Sequence, residues 1–296
     1  MILNKVLIFI FKIFLNTLDK LLKLIFGKDN FFHIVHDFLE SSQFHNKVIN
    51  NKNLKFFCPS QRSLNKVKKF EKYEPETLNW INNFYKYKSK IIFWDIGAQL
   101  GLYSIYAATR YKNIEVISFE PSSSNLRILT RNISINSLSK KIKLITLPLS
   151  NSTSFGMFKE TKNTEGQAES IFNENFDFKG KTLSNRRIKQ RYQILGTTID
   201  FLIKNKFLNV PNFIKIDVDG IEHLILEGST KLLARGELKE ILIETNPNFE
   251  KQNKYIERKL LSHKFKKIIS TNANILRNKK YKLKFNETVN NIYKKD

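Results

Sequence analysis

Short apolar segments alternate with longer segments of helical periodicity from residue 91 to the end of the chain. The predicted strands are residues 91–96, 115–120, 142–147, 213–218, 240–245, 265–269 and 289–293. The predicted helices between them are residues 102–110, 122–137, 197–206, 222–235 and 250–263. A helix is the usual connection between parallel strands, because the chain must return to the same end of the sheet. The alternation therefore predicts an α/β fold with a doubly wound, mostly parallel, seven-stranded sheet.

Two further regions flank or interrupt this pattern. Residues 28–90 are mostly helical in pattern, and Pro75 followed by an acidic residue marks one helix start. Residues 151–191 are polar, so we interpret them as an insertion that carries one hairpin and lies where a substrate would be met. The sequence thus predicts an N-terminal helical extension, a helical lead-in at residues 28–90, and a main domain at residues 91–296.

The extension, residues 1–27, is strongly apolar, and at about 100° per residue its polar members fall on one narrow stripe. The stripe contains Lys5, Lys12, Asn16, Asp19, Lys20 and Lys23, and the opposite side contains Val6, Leu7, Ile10, Phe14, Leu18, Leu21 and Ile25.

Lys12 interrupts the run too early for a membrane span of about 20 apolar residues. No small-residue cleavage site follows, which disfavours a signal peptide. The pattern favours an amphipathic helix in a membrane interface. A helix that docks on its own domain, or on a second copy of the chain, explains the pattern equally well.

The formal net charge of +24 would ordinarily indicate a nucleic-acid or anionic membrane partner. The lysines are scattered rather than clustered and accompany an excess of Asn, Ile and Phe, so we attribute most of the charge to background composition and expect no nucleic-acid partner. The single cysteine, Cys58, excludes an intramolecular disulfide and fits a reducing compartment. We therefore expect a cytoplasmic protein, peripheral on the inner face of the membrane if residues 1–27 bind it.

A glycine-containing turn follows the first predicted strand of the sheet. It contains Asp95, Gly97, Ala98 and Gly101, with the spacing D-x-G-x-x-x-G. The glycines allow a tight turn and close approach of a ligand, and the helix that follows presents N–H groups and a positive dipole to a carboxylate. Asp95 is placed to accept from the ammonium group of a methionine moiety. The spacing differs from the G-x-G-x-x-G that brings backbone to a pyrophosphate.

An acidic residue ends the next strand. Glu120, followed by Pro121, lies about twenty residues beyond the glycines, where an acid can bind both hydroxyls of an adenosine ribose. The turn, the acid and the strand–helix context together predict a site for a nucleoside that carries an amino acid. Asp95, Gly97, Ala98, Gly101, Glu120 and Pro121 are its predicted contacts.

A third cluster follows the strand at residues 213–218. Asp217, Asp219 and Glu222 should lie at the same edge of the sheet as the glycine turn. Such carboxylates can deprotonate a hydroxyl, orient it, or hold a hard divalent cation, and we predict a catalytic role without a metal. The alternative is that Asp217 only binds the cofactor amine and Glu222 only favours a helix N-terminus. His223 is a weaker candidate for a base, because its direction in the first helical turn is not predictable.

In order and spacing, several stretches resemble the FkbM family of S-adenosyl-L-methionine-dependent methyltransferases. They are residues 74–78, 93–104, 119–122, 125–126, 131–133 and 214–222. The resemblance spans about residues 70–250 and implies a Rossmann-like fold of the class I methyltransferase type. It implies that Asp95, Gly97, Gly101 and Glu120 bind the cofactor and that Asp217 lies beside the transferred methyl group. One residue departs from the family, which usually has Asn at the position of Gln99.

We therefore expect transfer of a methyl group to a hydroxyl of a small molecule, glycan or lipid, with a sugar in a glycolipid or surface glycan as the first choice. A carboxylate of the third cluster would take the proton. Two other classes stay open. A nicotinamide-dependent oxidoreductase would share the fold but should have the pyrophosphate glycine pattern, and a non-catalytic protein would bind membrane or nucleic acid through its basic surface alone.

Overall fold

The computed structural model describes residues 2–27, 31–87, 89–162, 164–271 and 288–296, which form two compact units, Met1–Phe44 and His45–Asp296. The first unit contains two helices, α1 (Ile2–Phe26) and α2 (Phe31–Ser41). The backbone N–H of Phe32 donates to Asp19 Oδ1 at 3.1 Å, and α2 has no buried residue. Within the described residues, each helix is too short or too polar to cross a bilayer.

A two-stranded sheet follows α2 in the lead-in, where we expected mostly helix. It consists of β1 (Phe44–Ile49) and β2 (Lys52–Phe57). The turn residues Asn50 and Asn51 have φ values of 51° and 60°, as a two-residue hairpin of type I′ requires. Asn tolerates this conformation better than most residues, so an Asn-Asn pair between two apolar runs was the missed signal. The lead-in then continues with α3 (Gln61–Lys68), α4 (Phe70–Tyr73), α5 (Pro75–Asn82) and a 3₁₀ helix at Asn83–Lys86.

The rest of the chain alternates strands with helices. Its first half contains β3 (Ile91–Ile96), α6 (Leu102–Arg110), β4 (Ile114–Phe119), α7 (Ser123–Ile135), β5 (Ile142–Ile145), β6 (Ser154–Glu160), β7 (Ser170–Phe172), a 3₁₀ helix at Asn185–Arg187, and β8 (Gln190–Gly196). Its second half contains α8 (Ile199–Lys204), β9 (Phe213–Ile216), α9 (Glu222–Glu227), α10 (Thr230–Ala234), β10 (Glu240–Thr245), α11 (Glu250–Ser262), β11 (Phe265–Thr271) and β12 (Val289–Lys295).

The predicted seven-stranded, mostly parallel sheet is confirmed, with the strand order β11-β12-β10-β9-β3-β4-β5. Strands β10, β9, β3, β4 and β5 pair in parallel, whereas β12 is antiparallel to both of its neighbours. The chain runs outward from β3 through β4 to β5, and then returns to the other side of β3 as β9. The switch point between β3 and β9 is where an open α/β sheet binds its ligands.

The insertion forms a three-stranded antiparallel sheet with the order β7-β6-β8, rather than the single hairpin that we expected. It also extends beyond residue 191, because β8 pairs with β6 as far as Gly196. Phe172 lies against the backbone of Gly156 and Gly196, where a Cβ would come within 2.7 Å and 2.3 Å of its ring. This close approach explains two glycines that no turn requires.

The helix predicted at residues 222–235 is two helices. Gly228 ends α9 and lies so near the backbone oxygen of Ser150 that a Cβ would be 2.2 Å away. The chain bends at Ser229 and continues as α10. The main core lies between the sheet and its flanking helices, and Trp94 and Ile216 at its centre are fully buried. This packing fixes the ends of β3 and β9 relative to each other.

Candidate cofactor and acceptor site

A cavity of about 670 Å³ lies at the carboxyl ends of the parallel strands. Its walls come from α3 and α4, from β9 and β10, from the segments after β3, β4, β5 and β9, and from the insertion sheet. The apolar lining includes Leu147 and Leu149 after β5, and Phe158 and Phe172 of the insertion sheet, which pack with Ile221 after β9. The residues that line the cavity from β9, β10 and the loop after β9 are mostly polar. The cavity therefore offers both apolar side chains for a flat ring and polar groups.

Two glycines shape the turn between β3 and α6. Gly97 has φ 88°, and a Cβ there would lie 1.9 Å from the backbone oxygen of Asp217. Gly101 has φ 78°, and a Cβ there would lie 2.3 Å from Leu129 Cδ1. A side chain at either position would combine strain in the left-handed region with a collision. The turn therefore needs glycine at both positions to reach β9 and α7.

Four backbone amides of this turn are used within the fold. The N–H groups of Gly97 and Ala98 both donate to the oxygen of Phe119 at 3.0 Å. Gln99 N donates to Glu120 Oε2 at 2.8 Å, and Gly101 N donates to the oxygen of Ala98 at 2.7 Å. These amides hold the turn on the end of β4. They are not free to bind a ligand carboxylate, a role that we expected of the helix after the turn.

Glu120 is buried at the end of β4 and lines the cavity. Its Oε1 accepts from Ser122 N and its Oε2 from Gln99 N, each at 2.8 Å. Because a carboxylate has about four acceptor positions, both oxygens can still accept from a ligand hydroxyl. Burial raises the pKa of Glu120 to about 7, although the two N–H donors favour its charged form. Pro121 also lines the cavity.

Asp95 lies behind the cavity wall rather than in it. Its side chain is fully buried and is not among the residues that line the cavity. Oδ2 accepts from Ser104 Oγ at 2.6 Å, and Oδ1 has no partner in the part of the chain that the structure describes. Burial raises the pKa of Asp95, against the effect of the Lys215 ammonium. The expectation of direct contact between Asp95 and a bound ammonium group is not met by this geometry.

Asp217 forms an ion pair with a buried lysine. Lys215 on β9 is 1% exposed, and its Nζ lies 2.5 Å from Asp217 Oδ2 and 5.0 Å from the centre of the Tyr103 ring. Burial alone would lower the pKa of Lys215, but the carboxylates of Asp217, Glu74 and Asp95 raise it above its usual value. Burial would likewise raise the pKa of Asp217, but the opposite effect of the Lys215 ammonium is larger, so the pKa of Asp217 is lowered. Both groups are therefore charged at neutral pH.

Asp219 lines the cavity beside this pair. Its backbone has φ 65°, and its Oδ2 accepts from the backbone N–H of Glu169 in the insertion at 2.6 Å. Burial and the neighbouring Asp217 raise the pKa of Asp219 to about 6. The side chain is thus a carboxylate at neutral pH with a higher proton affinity than a solvent-exposed aspartate has.

Glu222 is directed away from the cavity and supports the loop before α9. Its Oε1 accepts from the backbone N–H groups of Val218 and Gly220 at 3.2 Å and 3.1 Å, and its Oε2 accepts from Gln252 Nε2 at 2.8 Å. It is buried and does not line the cavity, and burial raises its pKa to about 7. We therefore correct its predicted catalytic role: the side chain fixes the loop that carries Asp219.

His223 is also outside the cavity lining. Its Nδ1 lies 3.1 Å from Gln252 Nε2, and its ring packs near the rings of Phe176, Phe249 and Tyr255. Burial lowers the pKa of His223. The imidazole therefore packs within the fold and does not reach a substrate hydroxyl in the cavity.

The sequence analysis did not identify two acids that face Asp217. Carboxylate oxygens of Glu74, Asp217 and Glu244 lie within 4.8 Å of one another. Burial and the nearby Asp217 raise the pKa of Glu244 well above its usual value, and its protonated form can donate a hydrogen bond to the Asp217 carboxylate. Glu244 is a polar residue near the end of a strand, and this pattern could have identified it as a site residue. Glu74 is far from β9 in sequence, and no local pattern identifies it. The Lys215 ammonium already provides a cation for this cluster, and we assign no metal to it.

Gln99 connects three parts of the site. Its φ is 51°, a conformation in which Asn is more common than Gln. Its side-chain Nε2 donates to the backbone oxygen of Gln167 at 2.7 Å, and its Oε1 accepts from Lys66 Nζ on α3. The longer side chain at this position thus joins the glycine turn to the insertion and to the lead-in.

Comparisons with known proteins identify a family for this chain. The family model described as "Methyltransferase FkbM domain" matches residues 95–283. The chain is 23% identical to "Methyltransferase sdnD" of Sordaria araneosa over 151 residues, which are 45% of this chain and 58% of that protein. The match thus spans little more than half of that relative.

Two similar solved structures are also methyltransferases. One is methyltransferase FkbM from Methylobacillus flagellatus KT, with 13% identity, coverage of 78% of this chain and 62% of that chain, and a TM-score of 0.43. The other is precorrin-6y C5,15-methyltransferase from Geobacter metallireducens GS-15, with 14% identity, coverage of 75% and 88%, and a TM-score of 0.42.

Proposed function

Because this chain belongs to the FkbM methyltransferase family, we propose that it is an S-adenosyl-L-methionine-dependent O-methyltransferase. Its acceptor is a hydroxyl group of a sugar, a glycolipid or another natural product. The observation that supports this proposal best is one cavity at the β3–β9 switch point, lined by the Gly97 turn, Glu120 and Asp219. These groups can serve a nucleoside, its amino-acid moiety and an acceptor hydroxyl at once.

The residues present fit the cofactor. Glu120 has free acceptor capacity for both ribose hydroxyls, and the apolar wall that includes Leu149 and Phe158 suits the adenine ring. Gly97 lines the cavity with backbone alone, because a Cβ there would collide with the backbone oxygen of Asp217. The acidic residues after β9 and β10 suit an ammonium group and a sulfonium. When bound, S-adenosyl-L-methionine supplies an electrophilic methyl group and leaves as a neutral thioether.

We assign the proton acceptor to Asp219. A general base works best when its pKa is near the working pH, and burial moves that of Asp219 upward to about 6. Asp217 is a weaker base because the Lys215 ammonium lowers its pKa, and the raised pKa of Glu244 favours its protonated form. As the acceptor oxygen bonds to the methyl carbon, the carbon–sulfur bond breaks, its electron pair stays on sulfur, and the hydroxyl proton passes to Asp219. Most of the rate enhancement would come from positioning.

Polar side chains of the lead-in and of α6 suit a hydroxyl-rich acceptor. Asn65 lines the cavity from α3, Tyr73 and Glu74 line it from the end of α4, and Tyr103 lines it from α6. Amide, phenol and carboxylate groups match the donors and acceptors of a sugar. An aromatic ring next to such groups can also cover an apolar sugar face.

We further propose that α1 binds peripherally to an anionic membrane surface. On its apolar side Leu7, Ile10 and Phe14 are 56%, 56% and 58% exposed, and Lys12 and Lys20 are on the polar stripe of the same helix. Apolar side chains would enter the headgroup region while the lysines contact anionic lipids. A glycolipid acceptor would then be presented at the surface where the enzyme binds.

The test is isothermal titration of the full chain with S-adenosyl-L-methionine and, separately, with NADH. Binding of the first alone is expected. Glu120→Ala should lower that affinity at least about 100-fold, because two hydrogen bonds to a charged group are lost. Glu115→Ala is the matched control, since Glu115 is another buried glutamate of β4 but binds Lys90 and Lys143 outside the cavity. A folded protein that binds neither ligand would contradict the proposal.

A further inference from the structure

We infer that Lys66 binds the carboxylate of the amino-acid moiety of the bound cofactor. This inference rests on the proposed function and extends it to a residue before the segment that matches the family model, residues 95–283. Nothing in the local sequence around Lys66 marks it as a ligand. The inference rests on where the tertiary structure places this side chain.

Lys66 reaches the glycine turn from a separate helix. It is on α3, whose first turn is capped by Ser60 and Ser63 and held by the hydrogen bond from Ser60 Oγ to the backbone oxygen of Glu165 at 2.8 Å. The side chain of Lys66 lines the cavity, and its Nζ donates to Gln99 Oε1. The ammonium group is therefore beside the turn before α6, where we expected the cofactor carboxylate.

A carboxylate needs a cation here because the cavity is acidic. Five carboxylic acids line it, namely Glu74, Glu120, Asp217, Asp219 and Glu244. The amides of Gly97, Ala98, Gln99 and Gly101, which could have bound an anion, donate within the fold instead. The N-terminal dipole of α6 alone supplies about half a charge. Without a full positive charge nearby, the carboxylate of the amino-acid moiety would meet mostly repulsion.

Lys66 is the best placed of the three cations that line the cavity, the others being Arg62 and Lys215. Lys215 is in an ion pair with Asp217 at 2.5 Å, and Arg62 is exposed, whereas Lys66 is half-buried and bonded to the glycine turn. In the described part of the chain, Lys66 forms no ion pair and has only Gln99 as a hydrogen-bond partner. An ammonium group has three donors, so two stay available. Burying an unpaired charge is unfavourable, and a ligand carboxylate would offset that cost.

The charged groups around Lys66 agree with this role. Burial and the neighbouring Arg62 lower its pKa to about 8, while Asp217, Asp219 and Glu74 raise it. It is still mostly protonated at neutral pH. Binding a carboxylate would favour the protonated form further, so the affinity for an anionic ligand should fall as the pH rises above about 8.

The experiment compares two ligands that differ by the amino-acid moiety. S-adenosylhomocysteine carries it and 5′-methylthioadenosine lacks it, and both are neutral at sulfur. Lys66→Gln keeps a donor for Gln99 but removes the charge. We expect this variant to bind S-adenosylhomocysteine about 10- to 100-fold more weakly, the usual loss for a charge-assisted hydrogen bond, and to bind 5′-methylthioadenosine within about 3-fold of wild type. Lys68→Gln, at an exposed position of the same helix, should change neither affinity.

One further variant and one further condition complete the test. Lys66→Arg should keep most of the preference for S-adenosylhomocysteine, because it keeps the charge. The loss of affinity above pH 8 should be present in the wild type and absent in Lys66→Gln. Thermal unfolding of each variant establishes that it is folded.

Three results would contradict either the inference or the proposed function. Equal weakening of both ligands would overturn the inference and make Lys66 a structural residue. Unchanged affinity for S-adenosylhomocysteine with a raised KM for the acceptor would also overturn it and place Lys66 on the acceptor side. If the folded wild type binds neither adenosine ligand, the proposed function itself fails.

Discussion

The backbone oxygen of Asp217 lies so close to Gly97 that a Cβ atom at residue 97 would be 1.9 Å from it. The two residues follow β9 and β3, which are adjacent in the sheet although about 120 residues separate them in sequence. This contact joins the glycine turn to the acidic loop. The cofactor half and the acid-bearing half of the cavity are therefore held at one fixed distance.

Gly97→Ala should remove cofactor binding and destabilise the protein. The new Cβ would meet the oxygen of Asp217, and φ 88° is unfavourable for alanine. We expect a lower melting temperature and no measurable heat on titration with S-adenosyl-L-methionine. Gly236→Ala is the control, since a Cβ there has no atom within 4 Å. Wild-type affinity in Gly97→Ala would show that the turn is more flexible than this geometry allows.

Asp219→Asn should bind the cofactor within about 3-fold of wild type and lose at least about 100-fold in kcat, the usual contribution of a general base. The measurement is transfer of a labelled methyl group to glycan and lipid extracts. Because the base must be deprotonated and its pKa is about 6, wild-type kcat should rise with pH through about 6 and then level off. Full turnover in the variant would assign the proton to another group.

Glu222→Gln should keep most of the turnover, because the side chain supports the loop without touching the cavity. Glu222→Ala should lower the free energy of unfolding by about 1–3 kcal/mol, since Val218, Gly220 and Gln252 would lose their acceptor. Chemical denaturation and kcat per folded molecule are the two measurements. A large loss of kcat in a fully folded Glu222→Gln protein would restore the catalytic role that the sequence suggested.

The contribution of Glu222 to the free energy of unfolding depends on pH. Its folded pKa of about 7 is above the ordinary value of 4.5, so the folded state binds more protons than the unfolded state between these values. The contribution of Glu222 to stability is therefore greatest below about pH 4.5 and is lost as the pH rises through 7. Relative to Glu222→Gln, the wild type should become less stable across this range and constant above it. The opposite slope would mean that the N–H donors outweigh burial.

Asp95→Ala should act mainly on stability. The Asp95 carboxylate is behind the cavity wall, where it accepts from Ser104 and contributes to the charge balance of Lys215. Leaving a buried hydrogen-bond donor without its acceptor costs about 1–3 kcal/mol. We expect a clear loss in denaturant midpoint, and a smaller loss of cofactor affinity than in Glu120→Ala. The reverse order of affinities would indicate that Asp95 contacts the ligand directly.

Reversing charge on α1 tests the membrane proposal. The triple substitution of Lys12, Lys20 and Lys23 to Glu should lower binding to vesicles that contain phosphatidylglycerol by at least about tenfold, since each lysine near the surface contributes about 1 kcal/mol. The same reversal at the exposed Lys112, Lys140 and Lys189 has an equal effect on net charge and should leave binding within about 3-fold. Equal effects of the two triple variants would show nonspecific attraction. Absence of vesicle binding in the wild type would contradict the proposal.

The architecture of the main domain followed from local patterns. Strands β3 and β10 and helix α6 begin and end where the sequence predicts, and the seven-stranded sheet is as expected. Apolar periodicity is a property of consecutive residues, so it can be detected before any tertiary contact is known. The misses had local causes as well: the Asn50–Asn51 turn was not recognised, and Gly228 divides a continuous helical pattern into two helices.

The sequence by itself determined the fold class, the glycine turn and the acid at the end of β4, because each depends on residues within one strand–turn–helix unit. Only the tertiary structure decided which side chains face the cavity. It directed Glu222 into the loop and Asp95 behind the wall, and it brought Lys66, Glu74 and Glu244 to the site from three different elements. Those placements depend on strand order and helix packing between residues far apart in sequence, and no local periodicity encodes the direction of a single side chain.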